Sequence, residues 1–139
     1  MVFTVMSNPS YDVCIVGCGI AGSVLAYNLD PELRVIAVER KPLDDLGKEP
    51  CGNAVHRVWF EEDGVGPDPE EFDSVASTSN RVRLNLSDET LEARLEGNRE
   101  GLVLKKDYYN RQVLRKSIEG GLEFIEGCAE PVVSEDGIE

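Results

Sequence analysis

A glycine-rich segment between two apolar runs constrains the fold of this chain more than any other feature. Residues 17–22 read Gly-Cys-Gly-Ile-Ala-Gly, the pattern G-x-G-x-x-G. An apolar run at residues 11–16 precedes it, residues 20–29 have helical apolar spacing, and a second apolar run occupies residues 34–39. Such glycines permit a tight turn, the approach of a pyrophosphate to the backbone, and close helix packing. The sequence therefore predicts a strand-helix-strand dinucleotide-binding unit over residues 11–40, with a purely structural glycine turn as the alternative.

Glu39 ends the second predicted strand. At this place in the motif a carboxylate binds the hydroxyls of an adenosine ribose. A carboxylate would repel the 2′-phosphate of NADP because both groups are negatively charged. The residue therefore favours FAD or NAD, and the strand-helix-strand unit alone does not choose between these two.

Composition and charge exclude several classes of protein. The 139 residues fit one domain, and no apolar run is long enough to span a bilayer. With 27 acidic and 14 basic residues, the net charge of −13 repels a phosphate backbone, so we expect no nucleic-acid partner. The four cysteines lack metal-site spacing, and the single histidine disfavours a triad hydrolase. Because of the cysteine spacing, we expect no metal site. Residues 1–10 do not have the features of a secretory signal, so we expect a cytoplasmic protein.

The rest of the chain mixes strands and helices. Apolar spacing predicts a short helix after the Cys51-Gly52 pair, and the acid-rich composition predicts a solvated loop within residues 61–80. Alternating apolar residues at 82–86 and 91–95 predict an antiparallel hairpin. Residues 101–104 predict a strand, Asp107 is predicted to cap a helix that Gly120 and Gly121 end, and residues 122–125 predict a last strand.

The loop at residues 48–55 carries the most specific resemblance. It reads Lys-Glu-Pro-Cys-Gly-Asn-Ala-Val and resembles the K-x-P-C-G-[DN]-A loop of the geranylgeranyl reductase family of flavoproteins. Residues 11–17, with Ala21-Gly22-Ser23 and Ala26, are similar to the first strand and glycine loop of that family. Residues 104–114 are similar to its strand and R-x-x-F-D-x-x-L helix. The resemblance covers nearly the whole chain, as the amino-terminal part of the family only.

This resemblance implies a fold and a cofactor. The family belongs to the fold group that includes p-hydroxybenzoate hydroxylase. The chain is thus expected to be an α/β, Rossmann-like FAD-binding domain, incomplete and with an inserted antiparallel hairpin. The implied cofactor is FAD, and the chain looks most similar to the archaeal enzymes that saturate the isoprenoid chains of digeranylgeranylglycerophospholipids.

The resemblance also implies roles for individual residues along an extended FAD molecule. The pyrophosphate would contact Gly17, Gly19, Ala21 and Gly22. Glu39, followed by Arg40, would hold the adenosine ribose, and Ala129 would lie near adenine. Cys51, Gly52 and Ala54 would lie along the flavin end. Lys106 stands where the family has an arginine near the ribityl chain, with Tyr109-Asn110 in place of Phe-Asp, and neighbouring Arg111 is the alternative for that contact.

The activity implied is a flavin-dependent reduction of geranylgeranyl double bonds in membrane lipid biosynthesis. Cys51 is the candidate catalytic residue, either as a proton donor or as a residue that shapes the pocket; from local sequence alone it is a small turn residue. An isoprenoid lipid, an external electron donor (reduced ferredoxin or NAD(P)H) and peripheral membrane contact are the expected partners. The alternatives are a flavin monooxygenase of the same fold group and a nucleotide-binding fragment without activity. Because the family's Gly-Asp motif has no counterpart in these residues, we expect no prenyl reduction by this chain alone.

Overall fold

A computed structural model describes residues 10–61, 64–94, 100–130, 133–134 and 137–138. The strands are β1 (Val13–Val16), β2 (Val35–Glu39), β3 (Ala54–His56), β4 (Val75–Ser79), β5 (Arg81–Asn85), β6 (Thr90–Arg94), β7 (Gly101–Leu104), β8 (Glu123–Glu126), β9 (Val133–Ser134) and β10 (Gly137–Ile138). The α-helices are α1 (Ile20–Asn28), α2 (Val58–Glu61) and α3 (Lys106–Glu119), and two 3₁₀ turns lie at Leu43–Asp45 and Pro69–Phe72.

The predicted strand-helix-strand unit forms a parallel sheet in the order β1-β2-β8. Side chains of β2 alternate between buried and half-buried positions, with Val35, Ala37 and Glu39 on the buried side. Ile15 and Leu114 join them in one core. The apolar runs predict strands buried on both faces, but one face of β1 is open: Cys14 is exposed and Val16 is 66% exposed, whereas Ile15 between them is buried.

A second, antiparallel sheet has the order β3-β7-β4. Leu102 and Leu104 of β7 pack with Tyr109 and Val113 of α3 in a separate core. The same helix supplies Leu114 to the core of the parallel sheet. Two faces of α3 therefore serve two sheets, and the helix connects the glycine-rich unit to the rest of the chain.

Two sequence predictions are wrong in this second sheet. Residues 54–56 form β3 in place of the predicted start of a helix, because the antiparallel pairing of Val55 with Leu102 decides the conformation. The predicted solvated loop contains a 3₁₀ turn and β4, and Pro69 is fully buried. The hydroxyl of Tyr109 donates to the carbonyl oxygen of Pro67 at 2.7 Å, which anchors this acid-rich segment.

The predicted hairpin is confirmed as β5 and β6, with Leu84 opposite Leu91. Its side chains are exposed on both faces, and Leu95 lies outside the described residues. The helix predicted after residue 104 is also confirmed, but its N-cap is Lys105, and Asp107 lies in the first turn. No helix in the described part of the chain has the length and apolar character needed to cross a bilayer.

Candidate cofactor-binding site

The glycine loop makes a tight turn from β1 into α1. Gly17 has a φ of +94°, which favours glycine, and its amide donates to the carbonyl oxygen of Val38 on the neighbouring strand at 2.8 Å. A Cβ at Gly22 would lie 2.0 Å from the carbonyl oxygen of Gly17. The first and third glycines of the motif are therefore needed for the turn and for the close approach of helix and loop.

The start of α1 has the properties of an anion site. Gly19 is the N-cap, and no side chain caps it with a hydrogen bond in the described structure. A Cβ built at Gly17 or at Gly19 would meet no described atom within 4 Å, so open space lies beside the loop. The free amides of a first helical turn attract phosphate groups. This cradle fits the pyrophosphate of a dinucleotide.

Glu39 is 8% exposed and accepts two backbone hydrogen bonds. Its Oε2 accepts from the amide of Cys18 at 2.7 Å, and its Oε1 accepts from the amide of Lys41 at 3.0 Å. Each carboxylate oxygen has a further lone pair with which it can accept a hydrogen bond from a ribose hydroxyl. Burial, together with the negative charge of Glu39, raises the pKa of the Cys18 thiol to about 11. Glu39 thus fixes the glycine loop and keeps acceptor capacity for a ligand.

A cavity of about 270 Å³, the nucleotide cavity, lies where β1, β2 and β8 end. It brings together four of the residues predicted to bind the cofactor: Gly17, Glu39, Arg40 and Ala129. Val16, Val38, Gly127 and Cys128 complete the lining. Pockets for whole drug-sized ligands span about 300–1,000 Å³, so this cavity suits a nucleoside portion of a dinucleotide. No pattern in the sequence marks Cys128 as a lining residue, because it lies in an irregular segment after the last predicted strand.

The residues predicted to lie at the flavin end do not line this cavity. Cys51, Gly52 and Ala54 are exposed; the first two lie between residues 42–50 and β3, and Ala54 begins β3. The Cys51 Sγ accepts from the amide of Asn53 at 3.4 Å. Asn53 itself has a φ of +54°, and its carbonyl oxygen accepts from the amide of Leu104 at 2.8 Å. The Pro-Cys-Gly turn is therefore held against β7.

The two predicted cations already have partners on the 42–50 loop and on α3. The Lys106 Nζ donates to the carbonyl oxygen of Glu49 at 2.8 Å. Arg111 donates to the carbonyl oxygen of Asp44 at 3.3 Å and to the carboxylate of Asp107 at 3.1 Å. Neither side chain lines the nucleotide cavity, and in this structure both fasten the loop to the start of α3.

An apolar groove of about 250 Å³ lies beside the start of α1. Ala21, which was predicted to contact pyrophosphate, lines this groove with Ile20, Val24, Val55, Trp59, Phe60, Val65, Leu104 and Tyr109. The groove and the nucleotide cavity have no lining residue in common. Ala21 thus lines the groove, whereas Glu39 and Ala129 line the nucleotide cavity.

No family model matches the chain. The chain is 34% identical over 121 residues to the digeranylgeranylglycerophospholipid reductase of Sulfolobus acidocaldarius, which covers 86% of this chain and 26% of that protein. It is 28% identical over 114 residues to the enzyme of the same name from Methanosphaerula palustris, covering 81% of this chain and 28% of that one. The chain is a homologue of the archaeal digeranylgeranylglycerophospholipid reductases. It spans about a quarter of the length of these curated relatives.

Solved structures confirm the predicted fold of this homologue. A geranylgeranyl bacteriochlorophyll reductase-like protein from Thermoplasma acidophilum has a TM-score of 0.71 at 24% identity, covering 92% of this chain and 33% of that one. A flavin-dependent brominase gives 0.64 at 19% identity, covering 92% of this chain and 32% of that one. These are flavoproteins with the fold of the p-hydroxybenzoate hydroxylase group, and at such identities the likeness establishes the fold alone.

Proposed function

We propose that this chain forms the nucleotide-binding part of an FAD site in a flavin-dependent reductase that saturates isoprenoid double bonds of membrane lipids. The observation that carries the proposal is the position of Glu39. Its carboxylate holds the glycine loop through Cys18 and lines the nucleotide cavity, in a chain homologous to the archaeal reductases. FAD, when bound, supplies the hydride-transfer chemistry, and the protein supplies binding and orientation.

The adenosine end of the cofactor would bind in the nucleotide cavity. Glu39 would accept hydrogen bonds from the ribose, Arg40 would lie beside it, and adenine would meet the backbone near Ala129. The pyrophosphate would lie against the amides at the start of α1, after Gly19, where the open space beside the loop admits it. The four acceptor sites of the Glu39 carboxylate, two of which are used by backbone amides, support this assignment.

The flavin end would pass the Pro-Cys-Gly turn, where Cys51, Gly52 and Ala54 are exposed. Contact with the ribityl chain requires Lys106 or Arg111 to release a loop carbonyl, which the reach of these long side chains allows. We assign Cys51 as the group that holds a proton, at its Sγ, for the reduced double bond. The alternative role, shaping the pocket, predicts no selective effect on proton transfer.

An isoprenoid lipid is the proposed substrate, with reduced ferredoxin or NAD(P)H as the external donor. We propose with it a cytoplasmic enzyme in peripheral contact with a membrane, since such a substrate would reside there. Flavin monooxygenation is less well supported, because identity to the reductases reaches 34%, compared with 19% for the brominase.

The test compares ligands on the 139-residue chain. FAD and ADP should raise its Tm, whereas NAD should raise it less, because a ligand that binds only the folded state stabilises it. Glu39→Arg should abolish the FAD and ADP shifts. Glu126→Arg is the matched control, since Glu126 is the register partner of Glu39 on β8, is exposed and does not line the cavity.

Both variants change the net charge equally, so a general electrostatic effect would appear in both. An FAD shift that survives in Glu39→Arg, or one that both variants lose equally, would contradict the ribose assignment. Equal or greater stabilisation of the unmodified chain by NAD would contradict the choice of FAD.

A further inference from the structure

The backbone of Cys18, the second residue of the glycine loop, is held on both sides by side chains from three parts of the chain. Glu39 accepts from the Cys18 amide at 2.7 Å. The carbonyl oxygen of Cys18 accepts from the Ser23 Oγ at 2.9 Å and from the Asn110 Nδ2 at 3.1 Å. Asn110 comes from α3, far along the chain, and its side chain is completely buried.

Asn110 keeps this contact although part of its side chain is unsatisfied. Its Oδ1 is buried and has no hydrogen-bond partner among the described residues. A buried polar atom without a partner lowers stability, and an apolar residue of similar size at this place would avoid that loss. Because the Cys18 carbonyl can only accept, the amide nitrogen must face it and the oxygen must face away. The structure thus satisfies the Nδ2 donor of Asn110 and leaves its Oδ1 acceptor without a partner among the described residues.

We infer that Asn110 is a positioning residue for pyrophosphate binding, an inference that rests on the proposed function. The Cys18 carbonyl belongs to the peptide group that joins Cys18 to Gly19, the N-cap of α1. Rotation of that peptide group would turn its N–H, the amide of Gly19, away from the open space beside the loop. The Asn110 and Ser23 donors fix the carbonyl of this peptide group. Glu39 fixes the preceding peptide group through the Cys18 amide.

The inference predicts an effect on one part of the ligand only. Glu39 is also held by the amide of Lys41 at 3.0 Å, so the ribose acceptor stays in place when Asn110 is changed. The adenine side of the cavity is lined by Gly127, Cys128 and Ala129. Asn110 forms its hydrogen bond with Cys18 and with none of these three in the described structure. Loss of the Asn110 donor should therefore weaken pyrophosphate binding and spare adenosine binding.

The experiment titrates the isotope-labelled chain with ADP and with adenosine and follows the backbone amide resonances, which measure affinities into the millimolar range. Asn110→Ala should weaken ADP binding about tenfold, the effect of one lost hydrogen bond, and should change adenosine binding less than twofold. Ser117→Ala is the control, since it removes a buried hydroxyl that bonds within α3 at 3.1 Å.

The Ser23 hydroxyl donates to the same carbonyl from α1, so Ser23→Ala provides the test if Asn110→Ala does not fold. Equal weakening of ADP and adenosine, or unchanged ADP binding in a folded Asn110 or Ser23 variant, would overturn the inference while leaving the FAD assignment in place. If the unmodified chain binds ADP no better than adenosine, the proposed function fails, and the inference fails with it.

Discussion

Two glycines of the same loop should respond to alanine in opposite ways. A Cβ at Gly22 would lie 2.0 Å from a backbone oxygen, that of Gly17, and 3.1 Å from the carbonyl carbon. A Cβ at Gly19 would meet no described atom, and the φ of −59° at this residue suits alanine. We therefore expect Gly22→Ala to damage the fold and Gly19→Ala to damage ligand binding.

The magnitudes follow from the contacts. Overpacking costs about 1–3 kcal/mol, and Gly22→Ala should lie at the upper end because the obstacle is backbone, not a flexible side chain. Replacing a helical glycine by alanine raises the free energy of unfolding by about 1 kcal/mol, so the net loss of stability is about 2 kcal/mol. For a domain of this size that lowers Tm by roughly 6–8 °C. Gly19→Ala costs at most about 1 kcal/mol at an N-cap, but its methyl group occupies the space that pyrophosphate needs.

Thermal unfolding followed by circular dichroism measures the first effect, and titration with ADP measures the second. Gly19→Ala should bind ADP at least about tenfold more weakly, equivalent to a loss of about 1.4 kcal/mol, with adenosine binding unchanged. The reasoning is refuted if Gly22→Ala unfolds within a degree of the unmodified chain. It is equally refuted if Gly19→Ala binds ADP normally, since the cofactor would then approach elsewhere.

Other consequences can be measured on the same protein. Iodoacetamide at pH 8 should modify Cys14, Cys51 and Cys128, which are exposed, and spare buried Cys18, whose pKa is raised to about 11; mass spectrometry should find Cys128 alone protected by ADP. Because the net charge of −13 repels a pyrophosphate, raising salt from about 0.05 to 0.5 M should tighten ADP binding by about two- to threefold, and a weakening would contradict this. Tyr109→Phe removes the bond to Pro67 and should lower the free energy of unfolding by about 1–2 kcal/mol in urea. In an enzyme that contains this chain, Cys51→Ser should slow alkene reduction and leave flavin reduction intact, and equal loss in both would contradict proton donation.

Local sequence predicted those elements whose partners lie nearby. The strand-helix-strand unit and the β5–β6 hairpin have their pairings within short stretches, and both are found as predicted. By contrast, Ala54–His56 has apolar residues that fit a helix or a strand equally well, and its partner is β7, more than forty residues away. The prediction for the acid-rich segment was wrong for the same reason. The buried hydroxyl of Tyr109, which orders this segment, belongs to a distant helix.

The same division applies to the candidate site. Gly17, Glu39, Arg40 and Ala129 were assigned from the motif and the family resemblance, and the fold brings these four together because the carboxyl ends of parallel strands meet at one edge. Lys106 was assigned because it stands where the family has an arginine, with neighbouring Arg111 as the alternative, and the structure gives both of them backbone carbonyls as partners. A charge in the sequence does not specify its partner, whereas a strand end specifies its neighbours.

Asn110 lies beyond either kind of prediction. Its neighbours Tyr109 and Val113 have the spacing of an inner helix face, on which a polar residue looks like an exception to the pattern. The reason for a polar residue at this position is visible only in the folded structure, where α3 meets the glycine loop and the Asn110 amide donates to the Cys18 carbonyl. A buried amide on an otherwise apolar helix face therefore shows that the helix meets a backbone group there. In a nucleotide-binding chain, the loop that must hold its amides towards a ligand is the backbone with most need of such support.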